Sequence, residues 1–370
     1  GGLALKVPRS YGIVPAKLAG SAPPPDAPEL TPWLRQPARE WVEAFPVGNG
    51  RLGGMVHGGV SREHIQLNED TLWTGGPNCY DNTDALPHLA EVRQLIRDGK
   101  FQQALGVADR HMLGIPKNQQ SYHTLGDLWI ELANHDPKKG TGPICRNGPK
   151  GASHKLDLSP FSETAVQVAD YRRELDMRIG VARVGYRIGD ACFTREVFVS
   201  HPDQVMVVRL ACDKPGRITG AVFLDSPHGG ECVTVDDHTL RLSGQMAPHR
   251  GGGLLGPHAG EGLKFEARVR VRNEGGEVVD DGDAIEVRQA NAVTLIYTAA
   301  TSYKNYRDIS GDPAAICQQH IDATEEKTYE TLRLAHIADH GELFNRVSID
   351  LGGAEAAGKP VDERIAAVRS

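Results

Sequence analysis

The chain has 370 residues and a formal net charge of −7, and charged residues make up 24% of the sequence. This length is enough for a sizeable core and for two or more domains. The charge pattern lacks the basic stripe typical of nucleic-acid binding, and the apolar runs fall far short of the ~20 residues of a membrane-spanning helix. We therefore expect no nucleic-acid partner and no membrane span.

The first segment, residues 1–35, is predicted to be loop-like. The stretch SAPPPDAPELTP carries five prolines in twelve residues, and proline both removes a backbone donor and disfavours the helical conformation of its predecessor. The glycine-rich stretch WVEAFPVGNGRLGGMVHGGV then predicts short strands joined by tight turns. Because no strand–helix unit follows it, a phosphate-cradling loop is not predicted there.

A helical hairpin is predicted over residues 84–112. Leu89, Val92 and Ile96 recur at helical spacing, and Gly99 is typical of a helix end. A second apolar stripe begins near Phe101. The pattern therefore indicates two helices inserted between strands.

Residues 122 to about 300 alternate apolar and polar side chains in many short runs, such as VARVGYRI and LKFEARVRVRN. This pattern is typical of antiparallel strands in a large sandwich. The stretch 135–160 is predicted to be a surface insertion. From residue 312 the period becomes helical, and it predicts two helices by residue 345.

These patterns predict a mainly β fold, a large two-sheet antiparallel β-sandwich with an inserted helical hairpin. The predicted divisions are a loop-like segment at 1–35, the sandwich domain at 36–305 and a helical linker at 306–370. The six cysteines contain no C-x-x-C pair and the histidines no H-E-x-x-H motif, so neither a metal site nor a cofactor is predicted. Disulfide pairing is left open.

A pair of facing carboxylates is what glycoside hydrolysis requires. Glu69 and Asp70 are adjacent on a predicted strand, so they point to opposite faces and cannot form that pair. Asp127 could meet Glu69 across strands. Alternatively, Asp127 caps a turn and Glu69 pairs with an arginine, and the spacing does not decide between the two.

The stretch HIQLNEDTLWTGGP brings Asn68 and Glu69 close to Trp73 at the end of a predicted strand. Trp73 could simply be a core residue. It could also offer an apolar ring to the C–H groups of a sugar, while amide and carboxylate groups exchange hydrogen bonds with the hydroxyls. Both interpretations stay open.

Several ordered motifs resemble one known family. AFPVGNGRLGGMVHGGVSREHIQLNEDTLWTGGP, LPHLAEVRQLIRDGKFQQAL, YHTLGDL, YRRELDM, FTREVFVSHPDQVMVVRL and TLIYTAATSYKNY are similar to the N-terminal domain of glycoside hydrolase family 95. The likeness extends over about residues 40–345, and HGELFNRVSIDL with VDERI resembles the linker that precedes the family's catalytic domain.

The resemblance implies an α-L-fucosidase-like enzyme, since the family consists chiefly of α-L-fucosidases with some α-L-galactosidases. It also implies that an (α/α)6 barrel beyond this chain supplies the catalytic groups of an inverting hydrolysis. No residue of this chain inherits a catalytic role, and we expect the segment alone to be inactive. The chain would need its own catalytic domain to act on a fucosylated oligosaccharide or polysaccharide.

The resemblance further implies a site near the domain interface. Asn68, Glu69, Trp73 and Tyr122 are the predicted substrate-binding residues, and a purely structural role in anchoring sandwich to barrel is the alternative. A stand-alone carbohydrate-binding or interaction module is the competing function. The expected location is secreted or periplasmic, and no cofactor is implied.

Overall fold

The structure is a computed structural model. It describes residues 30–77, 81–115, 117, 119–135, 167–247, 261–349 and 357–369. Most of the proline-rich first segment and nearly all of the insertion expected at 135–160 lie outside the described residues. Near its end, the segment expected to be loop-like contributes the short strand Trp33–Leu34.

Sixteen strands account for most of the regular structure among the described residues. In chain order they are β1 (Trp33–Leu34), β2 (Phe45–Gly48), β3 (Leu52–Val56), β4 (Arg62–Glu69), β5 (Gly126–Leu132), β6 (Val168–Asp176), β7 (Val181–Ile188), β8 (Ala191–Ser200), β9 (Val205–Cys212), β10 (Ile218–Asp225), β11 (Glu231–Asp236), β12 (Thr239–Gln245), β13 (Lys264–Glu274), β14 (Glu277–Asp280), β15 (Ile285–Ala290) and β16 (Ala292–Thr301).

The strands form two antiparallel sheets. The nine-stranded sheet has the order β1-β6-β7-β8-β9-β16-β13-β12-β11, and the seven-stranded sheet has the order β14-β15-β10-β5-β4-β3-β2. Apolar side chains from both sheets share one buried core, including Ile65 and Leu67 from the smaller sheet and Val208 and Leu295 from the larger. The predicted two-sheet sandwich is therefore confirmed.

Helices interrupt and follow the strands, as the sequence predicts. They are α1 (Ala85–Arg97), α2 (Phe101–His111), α3 (Pro313–Asp322), α4 (Tyr329–Phe344) and α5 (Val361–Arg369). The first two form the inserted hairpin. No helix among the described residues combines the length and apolar character needed to cross a membrane.

Strand β16 departs from the alternation expected of a sandwich, because all ten of its residues are buried. One face of the strand contributes Leu295 and Tyr297 to the core between the sheets. On the other face Ile296 packs with Ile321 of α3 and Leu332 of α4. The helices after residue 312 therefore cover the outside of the larger sheet, and a strand buried on both faces loses its polar side.

Two histidines fasten α4 to the same sheet. His336 Nε2 lies 2.8 Å from the carbonyl oxygen of Ile179, and His340 Nε2 lies 2.8 Å from that of Met177. The two side chains are four residues apart, which is a spacing that metal sites on helices use. Here each ring nitrogen faces a backbone acceptor, so the pair holds the helix on the turn after β6.

A buried ion pair links the two sheets. The carboxylate of Glu63 in β4 contacts the guanidinium of Arg195 in β8, and the two side chains are 0% and 2% exposed. Glu63 Oε1 also accepts hydrogen bonds from the backbone N–H groups of Gly58 (2.7 Å) and His64 (3.1 Å). These additional donors are what a buried carboxylate needs to offset its desolvation.

We expect Glu63→Gln to lower the free energy of unfolding by about 3–5 kcal/mol, because it leaves the Arg195 guanidinium buried without a counter-charge. Urea denaturation of the 370-residue chain measures this. The control is Arg35→Ala, which breaks the exposed pair with Glu363 and should cost at most ~1 kcal/mol. Equal losses in the two variants would contradict the expectation.

Candidate functional site

The site is built where β4 ends. Along this strand Ile65, Leu67 and Glu69 point into the core, while Gln66 and Asn68 point to the outer face and are partly exposed. This follows from the two-residue repeat of a strand. Asn68 and Glu69 are both expected from the sequence to lie close to Trp73, but the structure places their side chains on opposite faces of the sheet.

Asn68, Trp73 and Tyr122 meet on the outer face, and we call these three residues the Trp73 patch. Trp73 and Tyr122 are joined by an isolated antiparallel bridge, and their ring centroids lie 5.4 Å apart at an angle of 57°. Asn68 Nδ2 donates a hydrogen bond of 3.0 Å to the Tyr122 hydroxyl. The two aromatic side chains are 38% and 43% exposed, so neither is a core residue.

Hydrogen bonds fix the orientation of this patch. The indole Nε1 of Trp73 donates to the carbonyl oxygen of Asp70 at 3.2 Å. Next to it, the N–H of Thr74 donates to the Ser121 carbonyl at 2.9 Å, and the Ser121 N–H donates to Thr74 Oγ1 at 3.0 Å. The loop that carries Trp73 and Tyr122 is therefore closed at its base by hydrogen bonds. The two aromatic side chains have little conformational entropy left to lose when a ligand binds.

The patch has the chemistry of a small sugar contact. Two tilted aromatic rings offer apolar surface for C–H groups, and each side chain is more than a third exposed. The Asn68 amide keeps one N–H and its carbonyl oxygen for a ligand, and the Tyr122 hydroxyl, which accepts from Asn68, can donate its proton. An apolar platform with an amide and a hydroxyl beside it suits a pyranose ring.

Glu69 lies on the core side and is only 3% exposed. Its Oε2 accepts hydrogen bonds from the backbone N–H of Thr71 at 2.8 Å and from Thr71 Oγ1 at 2.6 Å. Its Oε1 lies 3.6 Å from the Arg51 guanidinium. Burial raises the pKa of Glu69 above its ordinary value, against the opposing effect of the Thr71 hydrogen bonds and Arg51.

The carboxylate pair considered between Glu69 and Asp127 does not form. Asp127 lies opposite Gln66 in the register of β4 and β5, so its side chain is on the outer face. There its Oδ1 lies 2.6 Å from His64 Nε2. The alternative, in which Glu69 pairs with an arginine, agrees with the Arg51 contact, while Asp127 binds a histidine and does not cap a turn.

Sequence reasoning missed a row of stacked rings on the same outer face. The His57 and His64 centroids are 4.3 Å apart, and His64 lies 4.2 Å from Trp129 with nearly parallel planes. The Arg62 guanidinium also lies over the Trp129 ring, 4.1 Å from its centroid. His64 and Trp129 are direct cross-strand partners, so only the register of β4 and β5 could have revealed the stack.

The raised pKa of Glu69 predicts a pH effect on stability. The folded state binds a proton on the Glu69 carboxyl group more tightly than the unfolded chain does, in which the pKa of Glu69 is near 4.5. The stability that this protonation contributes is therefore present below pH 4.5. That contribution is lost as pH rises through the folded pKa. We therefore expect Glu69→Gln to be least harmful at neutral pH.

The measurement is urea denaturation of the wild type and Glu69→Gln at pH 4.5 and pH 7.5. The advantage of the wild type over the variant should shrink with rising pH by about 1.4 kcal/mol for each unit of pKa shift. Glu231→Gln is the control, since that side chain is 70% exposed. An advantage of the wild type that grows with pH would refute the burial argument.

Comparison with known proteins gives this domain a family. Residues 33–147 and 149–306 match the family described as "Glycosyl hydrolase family 65, N-terminal domain". The chain is 32% identical to "Alpha-L-fucosidase 2" of Arabidopsis thaliana over 334 residues, which is 86% of this chain and 36% of that protein.

Two fungal relatives agree with that match. The proteins named "Probable alpha-fucosidase A" of Aspergillus oryzae and Aspergillus niger are 24% and 26% identical, over 84% and 83% of this chain and 39% and 36% of their own lengths. The chain thus spans a little over a third of each of these relatives. The family match extends over most of the chain, and the chain therefore belongs to the glycosyl hydrolase family 65 N-terminal domain family, as the N-terminal domain of a glycoside hydrolase.

Proposed function

We propose that the chain is the N-terminal part of an α-L-fucosidase-like hydrolase of family 95, which acts by inversion in a secreted or periplasmic location. The fucosidase names of three relatives support the substrate class, and the ordered motifs that resemble family 95 support the finer assignment. In this proposal a further domain supplies the acid and base of hydrolysis. Fractionation of native cells tests the location.

The observation that carries a role for this chain is the Trp73 patch. Trp73 and Tyr122 are large aromatic side chains that stay more than a third exposed, although the loop that holds them is closed by hydrogen bonds. Burial of such rings is favourable, so an exposed and rigid pair is suited to contact a ligand or a neighbouring domain. In our proposal the patch contacts the carbohydrate beside the catalytic pocket.

Glu69 acts in this proposal as a positioning residue. Its carboxylate holds the Thr71 backbone and hydroxyl, and Thr71 lies two residues before Trp73 in the chain. Moving Glu69 would therefore displace the loop that orients the indole. The sugar itself would touch Asn68, Trp73 and Tyr122, and Glu69 would stay inside the sandwich.

A carbohydrate-binding module without chemistry is the second candidate, because the Trp73 patch would serve it equally well. The two functions differ in what the chain does alone. General acid–base groups typically contribute ~10²–10⁴ in rate, and in the hydrolase proposal they lie outside residues 1–370. We expect the isolated chain to show no α-L-fucosidase activity above buffer, measured with a chromogenic α-L-fucoside, whereas the enzyme that contains it hydrolyses the substrate.

Robust turnover by purified residues 1–370 would overturn the view that the chemistry lies in another domain. If both forms are inactive yet bind fucosylated glycans, the binding-module function is correct and the hydrolase proposal is wrong. An α-L-galactoside, tested alongside, shows which of the two sugars the enzyme prefers.

In the complete enzyme we expect Trp73→Ala to raise KM for a fucosylated oligosaccharide about 3–10-fold, because an aromatic contact contributes about 0.5–1.5 kcal/mol. Tyr122→Phe should raise KM by a smaller factor, since it removes the hydroxyl and keeps the ring. Initial-rate kinetics measure both, and kcat should change little.

The matched control is Trp41→Ala, which removes a tryptophan that is 55% exposed at the start of the short 3-10 helix Trp41–Glu43. Its KM should equal that of the wild type. Thermal unfolding of each variant checks that the hydrogen-bonded base of the loop is intact. An unchanged KM in Trp73→Ala, with unchanged stability, would exclude the Trp73 patch from substrate contact.

A further inference from the structure

Three side chains that commonly bind metals meet at the base of the helical hairpin. Asp84 directly precedes α1, His88 lies in its first turn, and His111 ends α2. Asp84 Oδ2 lies 2.7 Å from His111 Nδ1, and Asp84 Oδ1 lies 3.7 Å from His88 Nε2. One ligand atom of each residue lies within 4.8 Å of the others, and among the described residues no other such group occurs.

The backbone at this point is fixed independently of the three side chains. Asn82 Nδ2 donates to the carbonyl oxygens of His111 and Leu113, both at 2.8 Å, and Asn82 Oδ1 accepts from the N–H of Asp84 at 3.0 Å. One asparagine therefore ties the start of α1 to the end of α2. The three ligands are brought together by the fold and need no ion to assemble.

The ring of His88 is oriented by a second carboxylate. Its Nδ1 lies 3.2 Å from Glu91 Oε2, so a proton on Nδ1 donates to that carboxylate. Nε2 then carries the lone pair and faces Asp84. Histidines that bind metals usually have this arrangement, in which the ring nitrogen away from the metal donates to a carboxylate.

The charges around the cluster favour a cation. The rings of His88 and His111 are stacked with centroids 3.8 Å apart, so two protonated imidazoles would repel each other at this distance, and the rings must turn out of the stack before their in-plane lone pairs can meet at one ion. Yet two carboxylates, Asp84 and Glu91, border the pair and attract positive charge. A single divalent ion that is shared by both rings satisfies the carboxylates without placing a charge on each imidazole.

We propose that Asp84, His88 and His111 bind a divalent cation of the zinc class and so clamp the base of the hairpin. Two imidazole nitrogens and one carboxylate oxygen form a donor set that suits Zn²⁺ or Co²⁺. The three side chains are 56%, 29% and 32% exposed, which leaves room for water to complete the coordination.

A clamp is physically useful here because the hairpin has little core of its own. Val92, Ala104 and Val107 form a small buried cluster that is separate from the core between the sheets. Helices of 13 and 11 residues are marginal in isolation. An ion that joins the first turn of α1 to the last turn of α2 would add stability where the small cluster is weakest.

The experiment is a calorimetric titration of the chelator-treated 370-residue chain with ZnCl₂ at pH 7.5. We expect one equivalent of zinc to bind, and we expect His88→Ala and His111→Ala each to lose this equivalent. Glu91→Gln should keep the site but weaken it about 10–100-fold, as expected for a residue that orients a ligand. Cobalt titration, followed by its visible absorption, provides a second readout.

His201→Ala is the matched control, because His201 is an exposed histidine 3.6 Å from one carboxylate, that of Asp339. It should bind zinc like the wild type. Zinc should slow hydrogen exchange within residues 85–111 of the wild type.

The proposal is wrong if the wild type takes up no equivalent of zinc, or if His88→Ala and His111→Ala bind it as the wild type does. Zinc that binds at the cluster without slowing exchange in the hairpin would overturn the clamp. Circular dichroism of each variant excludes loss of the fold as the reason for lost binding.

Discussion

The guanidinium of Arg51 joins the two sheets where β4 ends, next to the buried carboxylate of Glu69, and the turn after β4 depends on this contact. Arg51 precedes β3 in the smaller sheet, yet it donates to the carbonyl oxygen of Ala299 in β16 of the larger one. A second crossing is the 2.5 Å hydrogen bond between Thr71 Oγ1 and Thr301 Oγ1. The turn after β4 is thus held from both sheets, which explains how an exposed indole keeps a fixed orientation at the end of that turn.

Most of the sandwich could be predicted from the sequence because strand alternation records which face is buried. The prediction is strongest for strands such as β4, where one face meets the core and the other is partly exposed apart from His64. It is weakest for β16, where the apolar run AVTLIYTAA does not reveal that α3 and α4 cover the second face. Those helices follow β16 directly in the chain, but no pattern within the strand itself reports that they fold back onto it.

The candidate site could be predicted only in part for the same reason. The alternation rule separates neighbouring residues on a strand, and it places Asn68 and Glu69 on opposite faces once the strand is known to reach Glu69. The partners across strands depend on register, which the sequence does not give. Tyr122 opposite Trp73 and Trp129 opposite His64 are such partners. Of the proposed cation ligands, Asp84 and His88 are four residues apart, but His111 lies 27 residues after Asp84, so no short motif joins all three.

The Trp73 patch and the helical hairpin are also connected through the path of the chain. The polypeptide leaves the sandwich after Trp73, forms both helices and returns at Tyr122, so the bridge between these two residues closes the whole excursion. Closing a long loop has an entropic cost that grows slowly with its length, and contacts at its neck offset that cost. The Asn82 hydrogen bonds and the proposed cation would close the segment between Trp73 and Tyr122 a second time, at the base of the helices. Closure at the base of the hairpin shortens the loop that the Trp73–Tyr122 bridge must close. Ordering of the hairpin therefore favours the state in which these two aromatic side chains are paired. In our proposal the hairpin would therefore influence a sugar bound at the Trp73 patch without touching it.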